Sequence, residues 1–193
     1  MCEKEIIEER IKQQKQYYSS IDKGMYICGD IVEFKPVYLF DGLLCIEMPA
    51  DFIEMPQKFQ QVKYPSQYRP QIIMTSMDLS VNMGLTMFMQ KQNEEPKKIA
   101  ESIKSIIKKS YPDYRFFGSE YIREEKKVYS WFDFRSYAFD DAVYNMHIIM
   151  QLGKALLQGS FNCPYSQAED WKKAMIQMIK SIKRAEEKEI EGK

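Results

Sequence analysis

The stretch from Val128 to Ala138 reads VYSWFDFRSYA and alternates between two sets of side chains. One set would face one side of an extended chain: Val128, Ser130, Phe132, Phe134 and Ser136. The other set would face the opposite side: Tyr129, Trp131, Asp133, Arg135 and Tyr137. Because successive side chains of a β-strand point to opposite faces, this two-residue period predicts a strand.

Other extended segments surround this strand and are joined to it by short turns. They cover residues 115–123, 143–152 and 155–161, separated by the polar turn 124–127, by Asp140-Asp141 and by Gly153. Strands joined by short turns pair in antiparallel fashion, so this part of the chain predicts a meander of four strands. Upstream, residues 71–76 and 81–89 predict two more strands.

A β-hairpin is predicted nearer the start of the chain. Alternating residues from Val32 to Phe40 lead to Asp41-Gly42, and a second apolar run covers Leu43 to Ile46. An Asp-Gly pair between two extended runs favours a type I′ turn, which needs positive φ at both central residues. Pro36 cannot donate to a strand ladder, so we expect its strand to be an edge strand or to be bulged there.

Three segments have the features of helices, and one proline-rich stretch does not. The first helix covers residues 3–16 and carries Ile6, Ile7 and Ile11. The second opens at Asn93-Glu94-Glu95-Pro96 and is expected to bury Ile99, Ile103, Ile106 and Ile107. The third begins at the capping box Ser166 to Glu169. Prolines forbid a long helix between Pro56 and Pro70, so we expect a loop there with at most one helical turn.

These elements predict an α+β protein in which an antiparallel sheet of about six to eight strands packs with helices. The chain has 193 residues, 45% of them hydrophobic, which is enough to bury one core. We expect a single domain over residues 1–193, with a peripheral helix at 1–20 and a frayed tail at 185–193.

The composition argues against nucleic acid as a partner and against a membrane span. Lys and Arg together number 28, as do Asp and Glu, and a nucleic-acid binder normally has a basic surplus, so we expect no nucleic acid. No segment approaches the ~20 apolar residues of a membrane span. The first residues lack the basic and apolar regions of a secretory signal, which predicts a cytoplasmic protein.

The cysteines predict neither a metal site nor a disulfide framework. Cys2, Cys28, Cys45 and Cys163 form no C-x-x-C pair and have no histidine cluster beside them. Free thiols are therefore expected. Because nucleotide motifs such as the P-loop and G-x-G-x-x-G are absent from the sequence, we also expect no cofactor.

The order of elements between about residues 30 and 183 and the segment Ile46-Glu47-Met48-Pro49-Ala50-Asp51-Phe52 carry a resemblance to a known family. The chain resembles the PsbP-like (Mog-type) proteins, which form an α/β/α sandwich. Members include a photosystem accessory protein, a regulator that binds a small nuclear GTPase, and many bacterial proteins without assigned function. The resemblance implies a binding or assembly module, of bacterial origin, more often than an enzyme, and it assigns no functional residue.

Two surfaces are candidates for binding a protein partner. The first is the loop Lys63–Pro70, in which Lys63, Tyr64, Tyr68 and Arg69 combine with prolines in a way typical of interface anchors; alternatively, the tyrosines cap the core of an ordinary crossover. The second is the strand face with Trp131 and Arg135. It is a binding surface if no helix covers it; otherwise Trp131 belongs to the core and Asp133 forms a rim pair with Arg135.

His147, the single histidine, supports the alternative hypothesis of a small cytosolic enzyme. A histidine in a strand serves as a general base only with a nucleophile or an orienting group within about 3–4 Å. More often such a residue is half-buried and has no catalytic role. We therefore favour a non-catalytic protein-binding or assembly module without catalytic residues, and keep the enzyme and a homodimer formed through the first helix as alternatives.

Overall fold

A computed structural model describes residues 3–89, 94–124, 127–138 and 141–184. Several predicted features lie outside these residues: the tail 185–193, the cap Asn93, Asp140 of a predicted turn, and Cys2. The chain divides into two compact units. The middle unit covers Phe52–Ala168, and the terminal unit combines the chain up to Asp51 with the chain from Glu169 onward.

The helices and strands of the described residues are numbered in chain order. The helices are α1 (Glu3–Tyr17), α2 (Gln57–Lys63), α3 (Pro96–Ser110) and α4 (Ala168–Ser181), and a 3-10 turn (Tyr165–Gln167) precedes α4. The first strands are β1 (Ser19–Ser20), β2 (Gly24–Ile27), β3 (Asp30–Val32), β4 (Phe34–Leu39), β5 (Leu44–Pro49) and β6 (Ile53–Glu54). The remaining strands are β7 (Ile72–Thr75), β8 (Asn82–Met89), β9 (Arg115–Arg123), β10 (Val128–Tyr137), β11 (Ala142–Leu152), β12 (Ala155–Pro164) and β13 (Lys183–Arg184).

The middle unit is built on a seven-stranded antiparallel sheet with the order β6-β7-β8-β12-β11-β10-β9. Strands β10 and β11 pair residue by residue, from Val128 opposite Gln151 to Tyr137 opposite Ala142. The ladder between β9 and β10 is interrupted by a bulge opposite Asp133. The predicted α+β class and the antiparallel sheet of about six to eight strands are confirmed.

Helix α3 packs on one face of this sheet through aliphatic side chains. Ala100 is buried with strand residues Phe132, Phe134, Ile149 and Leu156, and partly buried residues pack against them: Ile99, Ile103, Ile107, Tyr114 and Phe116. Burying a large apolar side chain contributes about 1.5–3 kcal/mol, so this cluster is a main source of stability. Ile106, which the sequence placed in the buried stripe, is 64% exposed because its position on the helix turns it toward solvent.

Helix α2 occupies the stretch that the sequence assigned to a loop with at most one helical turn. The prediction was wrong because the prolines bracket the helix instead of interrupting it. Pro56 precedes the first turn, where its carbonyl accepts from the N–H groups of Phe59 and Gln60 at 2.8 and 3.1 Å. Pro65 follows the last helical residue, Lys63, so neither proline removes an internal hydrogen bond.

The terminal unit contains two three-stranded sheets, β1-β2-β3 and β13-β5-β4. The predicted hairpin is present as β4 and β5, and Asp41 and Gly42 have φ of 56° and 86° in the turn between them. Pro36 lies in β4, which is an edge strand as predicted. The hairpin of β2 and β3 was not predicted; its turn places Cys28 at a φ of 52°.

Helix α4 joins both small sheets by hydrogen bonds from its polar side. The side-chain amide of Gln177 donates to Ser19 O at 2.8 Å and accepts from Ile21 N at 3.1 Å. Ser181 Oγ accepts from Glu47 N at 2.9 Å. One strand group of each small sheet, and the N–H of Ile21 in the turn after β1, are therefore satisfied by side chains from the far end of the chain.

Helix α1 buries none of its side chains. Its apolar residues Ile6, Ile7 and Ile11 are all exposed. Within the described ranges, no helix combines the length and the apolar character that crossing a bilayer requires.

Candidate functional site

The loop Lys63–Pro70 is anchored to the sheet of the middle unit at its first residues. Asn162 Nδ2 donates to the phenol oxygen of Tyr64 at 3.2 Å, and the ammonium group of Lys63 donates to the carbonyl of Leu79. Burial raises the pKa of Tyr64, so its hydroxyl stays protonated. Both side chains hold the start of the loop in place. For Tyr64, this is the role expected in the alternative in which the tyrosines cap the core of a crossover.

The loop is anchored again at its end. Gly84 in β8 lies under Pro70, and a Cβ at position 84 would lie 2.5 Å from Cγ of that proline. Between the two anchors, Ser66 Oγ accepts from the N–H of Tyr68 at 3.1 Å and Ser66 O accepts from Arg69 N at 3.2 Å. The loop backbone is thus fixed by local hydrogen bonds as well as by contacts with the sheet.

Anchoring leaves two apolar side chains of this segment in solvent. Tyr68 is 86% exposed, and Val62 at the end of α2 is 78% exposed. Phe59, one turn before Val62, is 36% exposed, while Arg69 is half-buried. The segment therefore presents an ordered backbone with exposed aromatic and aliphatic groups.

A line of polar side chains under the loop crosses three strands. Thr75 Oγ1 donates to Asn82 Oδ1 at 2.8 Å, Asn82 Nδ2 donates to Asn162 Oδ1 at 2.9 Å, and Asn162 continues to Tyr64. Thr75 and Asn82 are buried, so these bonds satisfy groups that water does not reach. Sequence reasoning missed this ladder. The one sequence feature that could have indicated the ladder is an asparagine in each of two otherwise apolar strands, at positions 82 and 162.

His147 lies on the sheet face that α3 covers, where it stacks on two phenylalanines. Its ring centroid is 5.3 Å from that of Phe132 and 5.7 Å from that of Phe134. Its Nδ1 is buried without a hydrogen-bond partner, and burial lowers its pKa to about 4. No described side chain forms a hydrogen bond or ion pair with this histidine, so the geometry supplies neither the nucleophile nor the orienting group that a general base requires.

The second predicted surface is divided between the interior and the rim of the sheet. Trp131 is only 7% exposed, and its Nε1 donates to Glu120 Oε2 at 3.2 Å. Asp133 is fully buried, where it accepts from Gly118 N at 2.6 Å and from the hydroxyl of Tyr144 at 2.9 Å. The expected rim pair of Asp133 with Arg135 is therefore wrong, because the carboxylate faces the interior.

Arg135 is half-buried and lies between two aromatic rings. Its Cζ is 4.9 Å from the ring centroid of Tyr137 and 5.1 Å from that of Tyr165. Tyr165 in turn stacks on Phe117 at 6.1 Å. Tyr137 and Phe117 are exposed by 48% and 47%, so part of this aromatic group faces solvent.

None of the described cysteines forms a disulfide, and their environments differ: Cys28 is exposed, Cys45 half-buried and Cys163 buried. Burial, followed by the charges of Asp170 and Asp30, raises the pKa of the Cys28 thiol, which keeps it protonated near neutral pH. Among the described residues, no group of three or more His, Cys, Asp or Glu side chains is placed to hold a metal ion.

Comparison with solved structures identifies the fold. Cyanobacterial PsbP (CyanoP) from Synechocystis sp. PCC 6803 is similar with a TM-score of 0.59 and 9% identity, over 83% of this chain and 98% of that one. LpqN of Mycobacterium tuberculosis, described as involved in cell envelope biogenesis, is similar with a TM-score of 0.56 and 11% identity, over 86% and 97%. The Saccharomyces cerevisiae Ran-binding protein Mog1p is similar with a TM-score of 0.55 and 11% identity, over 80% and 96%.

No protein-family model matches the sequence, and no curated protein matches it. At identities this low, the structural likenesses establish the fold alone. The predicted resemblance to the PsbP-like fold is confirmed.

Proposed function

We propose that this chain, which has the PsbP-like fold, is a non-catalytic module that binds another protein through residues 57–70, with Tyr68 as the main contact. One observation carries the proposal: anchoring and exposure coincide in this segment. Tyr64 and Pro70 fix the backbone, while Tyr68 and Val62 extend into solvent.

An ordered loop binds at lower entropic cost than a mobile one. Lys63, Tyr64 and Ser66 hold the loop through hydrogen bonds before any partner arrives. Binding then has to order little more than the exposed side chains, which leaves more of the contact energy as affinity. Tyrosine suits this role because it offers a large contact area with few rotatable bonds.

The chemistry of the exposed groups favours a folded protein surface with an apolar pocket. Tyr68 carries an aromatic ring with a polar tip, and Val62 and Phe59 add aliphatic and aromatic area beside it along the chain. Arg69 adds a planar cation next to Tyr68. Aromatic residues and arginine are enriched at interface cores, whereas isolated exposed apolar residues are common on any protein.

The fold supports the same proposal by analogy. One structural neighbour, Mog1p, is described as a Ran-binding protein, so this fold can serve to bind a protein. At 11% identity the analogy names no partner for this chain and transfers no contact residue.

Site-specific crosslinking tests the proposal in cells of the native host. A photoreactive phenylalanine analogue replaces Tyr68 in one variant and Tyr38 in a matched control, because Tyr38 is also largely exposed, by 65%. We expect position 68 to yield a discrete crosslinked protein that position 38 does not. That protein, once purified, should bind Tyr68→Ala at least about tenfold more weakly than the unaltered chain, since an interface tyrosine commonly contributes more than 1 kcal/mol.

Tyr38→Ala should keep the full affinity, and both variants should keep the unfolding midpoint of the unaltered chain because the two side chains are exposed. Equal crosslinking at both positions, or an equal loss of affinity in both alanine variants, would contradict a docking role for this segment.

A further inference from the structure

A group of stacked side chains lies where β10 ends. Arg135 is enclosed by the rings of Tyr137 and Tyr165, and Phe117 continues the stack beyond Tyr165. The contacts of a guanidinium group with aromatic faces fix its plane and leave its edge for hydrogen bonds. The orientation of Arg135 is therefore set by the fold before any ligand binds.

Within the part of the chain that the structure describes, the charge of Arg135 is without a counter-charge. Its Nη2 donates to the hydroxyl of Tyr137, its Nε is buried without a hydrogen-bond partner, and no carboxylate of the described residues forms an ion pair with it. Withdrawing a cation from water is unfavourable unless an anion or further hydrogen bonds compensate. The described residues supply only part of that compensation.

A second cation faces the first across the strand pair. Arg115 at the start of β9 is directly opposite Arg135 in the register of β9 and β10. Like charges directly opposite each other on neighbouring strands are destabilising. Arg115 is exposed and also forms no ion pair with a described residue, so two positive charges without a described carboxylate partner lie on neighbouring strands.

The nearest acidic side chain on the same strand is already committed elsewhere. Asp133 is two residues before Arg135, but its carboxylate is buried and accepts from Gly118 N and from the hydroxyl of Tyr144. The bulge opposite Asp133 in β9 presents the Gly118 N–H to this carboxylate. Among the described residues the two arginines therefore have no carboxylate partner, and an anion from another molecule can pair with them.

We propose that Arg135 and Arg115 bind a carboxylate of an acidic peptide segment in a protein partner, with Phe117 and Tyr137 contacting the apolar part of that segment. A carboxylate matches the planar fork of a guanidinium group and bonds to it through both oxygens. The exposed parts of Phe117 and Tyr137 flank the cations and provide contact area around the ion pair.

A peptide fits this site better than a nucleic acid does. The Tyr165 ring is already in contact with Arg135 and Phe117, so it is less available for a base to stack on. The chain also has no net charge, whereas binding along a phosphate backbone draws on a basic surplus. The site is independent of residues 57–70, so it extends the proposed function without resting on it.

A displayed library of random dodecapeptides tests the proposal with the purified chain as bait. We expect the recovered peptides to be enriched in Asp and Glu, with an apolar residue nearby. The enrichment should disappear with Arg135→Gln as bait and persist with Lys154→Gln, which removes one exposed positive charge at the turn between β11 and β12. Tyr68→Ala as bait should recover the same acidic peptides as the unaltered chain.

The affinity of one recovered peptide, measured by fluorescence anisotropy, gives the size of the effect. Arg135→Gln should weaken binding at least about tenfold, Arg115→Gln should weaken it less, and replacing the acidic residue of the peptide by its amide should weaken it as much as Arg135→Gln. Arg115 is exposed, so its variant tests the site even if Arg135→Gln lowers stability. The proposal is overturned by peptides without acidic enrichment, by enrichment that survives in both arginine variants, or by a single-stranded oligonucleotide that binds more tightly than the peptides and depends on Arg135.

Discussion

Pro70 lies on Gly84 so closely that a single methyl group between them has no room: a Cβ at position 84 would come within 2.5 Å of the proline Cγ. Gly84 therefore sets the height of the loop above β8. The constraint is one of space, because the backbone of Gly84 is not among the described positions with positive φ.

Gly84→Ala should lower the free energy of unfolding by about 1–3 kcal/mol, the usual cost of overpacking, since a proline ring cannot rotate away from the added methyl. Urea denaturation measures the change. Gly159→Ala is the matched control: a Cβ there would meet the ends of flexible side chains, Leu85 Cδ2 at 3.3 Å and Ile148 Cδ1 at 3.4 Å, and should cost less. A loss no larger than that of the control would contradict the anchoring role of Pro70.

His147 should make the protein less stable as the pH falls from about 6.5 toward about 4. Burial lowers its pKa in the folded state to about 4, whereas the unfolded chain keeps a value near ~6.5. Above that window both states hold a neutral ring and no stability is lost. Within it the unfolded state binds the proton first, so stability decreases, by up to about 3 kcal/mol.

Urea denaturation of the unaltered chain and of His147→Gln between pH 7 and pH 4 isolates this contribution. Carboxylates titrate in both proteins, so the difference between the two curves belongs to the histidine. The difference should shrink as the pH decreases, because the unaltered chain loses stability faster than the variant. Parallel curves would show that the ring is protonated in the folded protein as easily as in the unfolded one.

The exposed aliphatic residues of α1 predict self-association through this helix. Ile7 and Ile11 are four residues apart, hence on one side of the helix, and each is more than a third exposed. We expect a dimer for the full chain and a monomer for the chain without residues 1–16, as measured by sedimentation equilibrium. If both chains have the same molar mass per particle, α1 does not join two copies.

The prediction of a single domain can be tested with the two tryptophans of the chain. Trp131 belongs to the middle unit and Trp171 to the terminal unit. In Trp131→Phe and Trp171→Phe, the remaining tryptophan reports the unfolding of its own unit, while far-UV circular dichroism reports the whole chain. We expect fluorescence and dichroism to give the same midpoint within each variant, because the parts of a single domain commonly unfold together in one cooperative step. Separate midpoints would mean separate domains.

The strands of the large sheet could be predicted because their pattern is local. Residues from Val128 to Ala138 alternate, and the structure places β10 within one residue of that range. The Asp41-Gly42 turn was equally clear from the sequence, since few other residue pairs adopt positive φ at both positions. Strands β2 and β3 were missed because they are short and because Cys28, a residue that rarely adopts positive φ, occupies their turn.

The candidate sites depend on contacts between distant parts of the chain, which a pattern in the sequence does not encode. Asn82 and Asn162 meet only because β8 and β12 pair in one register, and a shift by one residue would separate them. Tyr165 reaches Arg135 across two strand connections, so its ring was not recognised as part of a site. Trp131 could be assigned either to the surface or to the core, since alternation alone does not show which face is covered.

The terminal unit takes its polar partners from both ends of the chain, and this affects the order in which a ribosome can complete the protein. Strands β1 to β5 are synthesised first, but the amide of Gln177 and the hydroxyl of Ser181 that satisfy their backbone groups are translated more than a hundred residues later. The middle unit is continuous, with all of its strands available as soon as Ala168 has emerged. During translation the seven-stranded sheet can therefore form first. The hairpins of the terminal unit stay incomplete and accessible to chaperones until α4 leaves the exit tunnel.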